Sequence, residues 1–347
     1  MAGGAQKQLV GLACLLKQRG YDTEIITYYK GSDYESDLNN NSIPHNVITE
    51  TSNVVKRFFV LLHYLKRNNT RIVISFQTRP SLLLCVIKLL RPSLRLIVSE
   101  RNTSQKYGMF EKICFNAYRV SDFVVPNSFS QEAFLKQHAP FLTNKLITIT
   151  NFVDTSYYVP SKVKENREYI RLLTIARITP QKNTLNYIKA IKEVYSHNIL
   201  IKVDWYGYIQ GDGSYYKQCE QLISELGLND IFEFHQPINT ILEEYHNTDF
   251  FCLPSIYEGT PNVILEAMSC GVPIICSDVC DNSRYVSQNG WLFNPHIVSE
   301  MSETIIKALE TPRDERDRMG NASRSIATNM LSPDSFVNKY LGLINKL

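Results

Sequence analysis

The sequence predicts an α/β protein built from two doubly wound, parallel-sheet domains. Three observations carry this. Short apolar runs alternate with segments of helical period along the whole chain. The length of 347 residues exceeds one ordinary hydrophobic core. The alternation also starts over after a polar, charged stretch at 152–168 that contains Pro160. With 44% apolar and 20% charged residues the chain reads as globular. No apolar run reaches bilayer-spanning length. The eight cysteines lie mostly inside apolar segments with no zinc-like close pairs, although Cys276 and Cys280 are four apart. They read as core thiols of a reducing cytosol.

Gly3-Gly4 opens a helix with Leu9, Val10, Ala13 and Leu16 on its apolar positions and Gly20 at its end. A strand is expected over 21–29 and a polar loop over 31–43. Asn53 to Arg67 reads as an amphipathic helix, with Val54, Phe58, Leu61, Leu62 and Leu65 on one face and Lys56, Arg57, Lys66 and Arg67 near its ends. Strands follow at 71–76, 94–99, 122–126 and 146–150, separated by helices at 82–90, 110–118 and 131–137. A glycine pair that brings backbone close to a ligand belongs after a strand, and in a doubly wound sheet that strand is central. The expectation is therefore that the natural chain starts upstream and that Met1 is an internal methionine.

In the second half, strands are expected at 169–176, 199–206, 231–234, 249–255 and 272–276. Helices are expected up to about 196 and at 214–226, 238–246, 298–309, 313–329 and 335–347. The most informative stretch is 249–279. Thr260 is placed to cap a helix with Pro261 first. Gly271 stops that helix and Pro273 bars its return. Such a helix points its free N–H groups out of a loop at the carboxyl end of a strand, where an anion binds.

Two carboxylates frame that loop, Glu258 and Glu266. Two cations, Arg177 and Lys182, follow the first strand of the same half. Ligands of parallel sheets sit at the carboxyl ends of strands, so all four are expected together. Two cations and a helix N-terminus suit a diphosphate. A carboxylate on the helix suits a ribose diol, and the loop carboxylate a sugar hydroxyl. Singly, each is an ordinary surface charge; jointly they describe a sugar-nucleotide site.

These residues resemble the family-4 glycosyltransferases, of two-Rossmann-domain GT-B fold, over nearly the whole chain and most closely over 170–290. The family's glutamate, seven residues, glutamate motif matches Glu258 to Glu266 in EGTPNVILE, and its R-x-x-x-x-K pair matches Arg177 and Lys182. Asn151-Phe152-Val153-Asp154 is similar to the family's N-G-V-D junction, with Phe152 replacing glycine. MAGGAQKQLV resembles the glycine loop after the family's first strand.

The resemblance implies an acceptor domain at 1–158 lacking that strand, a donor domain at 159–332, a crevice between them, and a final helix at 333–347 crossing back. It implies Arg177, Lys182 and Glu258 as catalytic residues. Gly4, Gly259, Thr260, Pro261, Asn262, Val263 and Glu266 join them in donor binding. Many members carry a histidine in the first domain. Here Val98-Ser99-Glu100-Arg101-Asn102 stands in its place, so no catalytic histidine is assigned, and Glu100, Arg101 and Asn102 become the sugar-proximal or acceptor candidates. This form resembles a branch that uses N-acetylhexosamine or galactose-type donors in bacterial surface polysaccharide assembly.

The implied reaction is retaining transfer of a hexose or N-acetylhexosamine, from UDP by default, without metal or other cofactor. A 2-epimerase of the same fold and a non-catalytic binding or scaffold subunit stay open as readings. Residues 1–160 carry a net charge of +8 and the remainder −5. The basic half suits a polyprenyl-diphosphate-linked or oligosaccharide acceptor and a place at the inner membrane face. Its charges are scattered rather than striped, which argues against nucleic acid. A cytoplasmic enzyme, peripheral at that membrane, is expected.

Overall fold

The computed structural model describes residues 4–29, 34–101, 103–161, 167–238 and 240–347. The chain divides into two compact units: Met1–Phe152 with Pro333–Leu347, and Val153–Ser332. The first contains α1 (Gly4–Gln18), β1 (Ile25–Thr27), α2 (Glu35–Asn40), β2 (His45–Val47), α3 (Val54–Arg67), β3 (Ile72–Phe76), α4 (Thr78–Leu90), β4 (Arg95–Glu100), α5 (Met109–Ala117), β5 (Phe123–Pro126) and α6 (Phe129–His138). The second contains β6 (Ile170–Ile175), α7 (Thr184–Tyr195), β7 (Ile201–Tyr206), α8 (Ser214–Glu225), β8 (Phe232–His235), α9 (Leu242–His246), β9 (Phe250–Leu253), α10 (Asn262–Ser269), β10 (Ile274–Ser277), α11 (Asn282–Tyr285), β11 (Gly290–Phe293), α12 (Val298–Leu309) and α13 (Arg313–Met330). The last helix, α14 (Pro333–Ile344), belongs to the first unit.

In the first unit β3, β4 and β5 form one parallel sheet, and β1 and β2 form another. No strand among the described residues joins the two. The central strand β4 is buried from Leu96 to Glu100, so both its faces are apolar. Leu96 and Val98 point into a core shared with Leu61 and Leu65 of α3, Leu84 and Ile87 of α4, and Phe115 of α5. Ile97 points the other way, toward Leu12 and Leu16 of α1 and Phe336 and Tyr340 of α14. That is the two-residue alternation of a strand. Asn53 caps α3 by accepting the Lys56 N–H at 3.0 Å.

The second unit has a six-stranded, wholly parallel sheet in the order β11-β10-β9-β6-β7-β8. Its sequence order runs outward in both directions from the β9–β6 pair. The connections after these two strands therefore part: α7 packs with α8 and α12, whereas α10 packs with α13. That divergence is the topological switch point, where an open α/β sheet leaves a crevice at its carboxyl edge.

The structure corrects several expected elements. The expected strand at 146–150 is an extended segment beside β5, bridged only at Val124–Leu146 and bonded through the Ile147 and Ile149 N–H groups. Its neighbour ends at Pro126, so a longer ladder has nothing to pair with. The expected loop at 31–43 contains α2, and the helix expected over 238–246 is confined to α9. Three elements, β2, α11 and β11, lie outside the expected set. Finally, α10 starts at Asn262, with Pro261 in the cap position at ψ 113° rather than inside the first turn. The extended backbone there is that of a residue still leaving the loop.

Candidate functional site

The candidate site occupies the switch point of the second unit. After β6 the chain runs through Arg177 into a tight turn, Pro180–Lys182, closed by Asn183 at φ +60°. Asn183 holds this left-handed conformation, which asparagine tolerates, while its amide donates to the Pro295 carbonyl at 2.7 Å. After β9 the chain runs through Pro254 and Ser255 into the loop before α10.

Three contacts lace the turn to the loop. The Ile256 N–H donates to the Gln181 carbonyl at 2.8 Å. The Gln181 side-chain amide donates to the Tyr257 carbonyl at 3.1 Å. The Lys182 ammonium pairs with Glu258. Both charged side chains of the pair are about nine-tenths buried, at 12% and 10% exposure. A lysine and a glutamate remote in sequence are thus fixed at one point by hydrogen bonds between the residues just before each of them.

The other site residues take distinct positions. Arg177 is exposed and donates to the Gln210 side-chain carbonyl at 2.9 Å. It leaves β6 where Gly207 passes close to the main chain: a Cβ on Gly207 would stand 1.8 Å from the Ala176 carbonyl oxygen. Glu266 is buried on α10 and accepts from the Tyr245 hydroxyl at 2.9 Å. Burial, with that carboxylate beside it, holds the Tyr245 phenol well above its ordinary pKa. Thr260 and Pro261 are buried, and Gly259, Asn262 and Val263 half-buried, at the α10 entrance. Asn262 is the first residue of α10, whose opening turn carries no acidic side chain.

The first-unit candidates behave differently. Gly4 begins α1 and is exposed. Glu100 is buried and takes the hydrogen bond of the Tyr118 hydroxyl. Arg101 is buried, donates to Asn151 at 2.9 Å and to the Tyr340 hydroxyl at 2.6 Å, and lies over the Phe76 ring. Both side chains are engaged by the interior of their own unit. Asn102, Gly3 and residues 162–166 of the expected linker lie outside the described residues.

Sequence reasoning did not single out Gln181, Asn183, Gln210 or Tyr245. Gln181 and Asn183 flank Lys182 directly and could have been found as polar residues of the same turn. Nothing in the sequence marks Gln210 or Tyr245 as partners of the site. Among the described residues one trio, Asp204, Glu233 and His235, clusters with metal-ligand spacing. Asp204 already receives the Arg171 guanidinium at 2.5 Å and the His235 ring at 2.7 Å. A guanidinium there fills a cation's place, and the trio reads as an ion-pair network. Its charged neighbours hold the Asp204 carboxyl below its usual range despite burial.

The fold is that of the GT-B glycosyltransferases. An Anabaena protein of that fold, Alr3699/HepE in complex with UDP, superposes with a TM-score of 0.86 at 17% identity, over 99% of this chain and 97% of its own. Residues 159–326 match the family described as glycosyl transferases group 1. Among sequence relatives, an uncharacterized glycosyltransferase of Haemophilus influenzae is 22% identical over 90% of this chain and 88% of its own. The GalNAc-alpha-(1->4)-GalNAc-alpha-(1->3)-diNAcBac-PP-undecaprenol alpha-1,4-N-acetyl-D-galactosaminyltransferase of Campylobacter jejuni is 23% identical over 77% of this chain and 74% of its own.

Proposed function

We propose that this glycosyltransferase moves a hexose or N-acetylhexosamine from a UDP-sugar to a lipid-linked or oligosaccharide acceptor, with retention of anomeric configuration. The observation that carries the reading is the Lys182–Glu258 pair, laced in place at the switch point. In the resting site Glu258 neutralises Lys182. When a donor enters, its diphosphate takes Lys182 and Arg177, and the α10 entrance supplies backbone N–H groups. Charge builds on the diphosphate as the sugar leaves, and the same groups stabilise it without reorganising. Glu258, released from the lysine, accepts from a sugar hydroxyl. Glu266, held by Tyr245, takes the ribose diol.

The donor base is read from the UDP complex of the Anabaena protein and the acceptor class from the Campylobacter relative's name. The test is transfer from a panel of UDP- and GDP-sugars, with the product's anomeric configuration read by NMR. Retained configuration with a UDP-sugar is expected. Inversion, or a converted sugar without acceptor, as an epimerase would give, overturns the reading. So does UDP-sugar binding with no turnover in the presence of lipid-linked glycans, the behaviour of a scaffold.

A further inference from the structure

A buried tyrosine has to place its hydroxyl on an acceptor. Tyr245 of α9 is 1% exposed, and two oxygens of α10 lie within its reach. They are Glu266 Oε2 at 2.9 Å and the Val263 carbonyl at 3.2 Å. One proton cannot serve both equally, and the nearer, charged carboxylate takes it. Burial and the Glu266 charge hold the phenol well above its ordinary pKa, so it keeps that proton. Tyr245 is therefore a permanent donor to Glu266.

The ring has no room to swing away. It packs edge-on against Tyr158, with centroids 6.0 Å apart, and at a tilt against Phe251 of β9, at 5.8 Å. Its neighbours in sequence are tied down as well. Glu244 pairs with Arg171 at 2.5 Å, and His246 Nε2 lies 2.8 Å from the Val159 carbonyl oxygen. All of these partners belong to the second unit. Glu266 inherits this rigidity. The last torsion of a glutamate is broad, so its carboxylate turns unless something holds it. A hydrogen bond from a locked phenol selects one orientation.

We infer that Tyr245 is a positioning residue that sets the ribose selectivity of the donor site, by holding the Glu266 carboxylate in the orientation that receives both hydroxyls of the ribose diol. The inference rests on the proposed donor reading and adds a residue to it. An ionised carboxylate has about four lone-pair positions, so it can accept from a phenol and a diol together. An orientation fixed before the nucleotide arrives costs nothing at binding. A buried carboxylate arranged for two hydroxyls is left short by a nucleotide that lacks them, and the site becomes selective for that reason.

The test is calorimetric titration of the full chain with UDP and with dideoxy-UDP, which lacks both ribose hydroxyls. Wild type is expected to prefer UDP by about tenfold or more. Tyr245→Phe keeps the ring and its contacts and loses only the hydroxyl. It is expected to weaken UDP by about tenfold and dideoxy-UDP by less than about twofold, so that the preference collapses. A general loosening of the fold would weaken both alike, and the preference would survive. If Tyr245→Phe fails to fold with Glu266 buried beside it, Tyr245→Phe with Glu266→Gln is compared with Glu266→Gln alone. Equal UDP affinity is expected, because the tyrosine acts only through the glutamate. A further loss in the double variant overturns the inference. A preference that survives in folded Tyr245→Phe overturns it too and leaves the donor reading standing. A wild type that binds both nucleotides alike, or neither, takes Glu266 off the ribose and overturns the donor reading together with the inference.

Discussion

Two strand-to-helix crossings in this molecule look alike in sequence and engage different partners. In the second unit β9 leads through Glu258 to α10; in the first, β4 leads through Glu100 and Arg101 to α5. Each places charge at the carboxyl end of a parallel strand, where ligands bind. Glu258 finds its partner, Lys182, on the turn after the neighbouring strand, so the pair spans the mouth of the switch point. Glu100 and Arg101 find theirs inside the unit: Tyr118 behind α5, Tyr340 on α14, and Asn151. A charge at a strand end is a ligand candidate when its partner also comes from a loop end. When the partner comes from the core, the charge is first of all a part of the packing. The difference lies in the partners, which are remote in sequence.

The sharpest way to break this comparison is to remove one charge from each crossing. Lys182→Met is expected to lower transfer by about a hundredfold or more, because two cations otherwise share the developing diphosphate charge. It also leaves Glu258 buried without its lysine. In thermal melts, Lys182→Met with Glu258→Gln is therefore expected to cost less than the two single changes added together. Transfer near the wild-type rate in Lys182→Met would remove this crossing from the chemistry.

Arg101→Met probes the other side. It deletes hydrogen bonds to Asn151 and Tyr340 and the stacking over Phe76. A cost of about 3 kcal/mol is expected, read as a lower melting temperature or denaturant midpoint. Affinity for UDP is expected to stay within about twofold, since the change is worth under 0.5 kcal/mol at a site it does not touch. A large loss of transfer without loss of stability would return Arg101 to the sugar-proximal or acceptor candidates.

How far the sequence could be read follows the same division. Long elements with clear period were legible: α3, α12 and α13 fall within a residue or two of their expected bounds. The β6 and β9 strands and the loops after them were legible too, because short, largely apolar runs give way there to polar segments that carry the charges. What could not be read depends on neighbours. His45-Asn46-Val47 has no apolar alternation and becomes a strand only by pairing with β1. Gly290 to Phe293 is four residues long and becomes a strand by lying against β10. Leu146 to Thr150 has strand composition but too little partner to form one. At the site, Lys182, Glu258 and Arg177 were legible as charges at strand ends. The Gln181 lacing and the Tyr245 bond were not, because they join loops and helices distant in the chain.

The inward reading of Glu100 has a consequence in pH. Burial raises its carboxyl to about 7 from an ordinary 4.5, the Tyr118 hydrogen bond opposing this only in part. A raised carboxyl prefers its proton in the folded chain. At pH below the ordinary value both states are protonated and nothing is lost. Between about 4.5 and about 7 the unfolded chain ionises while the folded one holds its proton, so stability falls as pH rises. Above about 7 the full penalty applies, on the order of 3 kcal/mol. Glu100→Gln keeps a hydrogen-bond acceptor for Tyr118 and cannot ionise. Relative to wild type, the variant is expected to gain roughly 2–3 kcal/mol between pH 5 and pH 8, measured by denaturant midpoints at both. Comparing the two proteins at each pH cancels the titration of every other group. Parallel stability curves across that interval would place Glu100 in solvent, and its engagement by the core of the first unit would fall as the point of contrast between the two crossings.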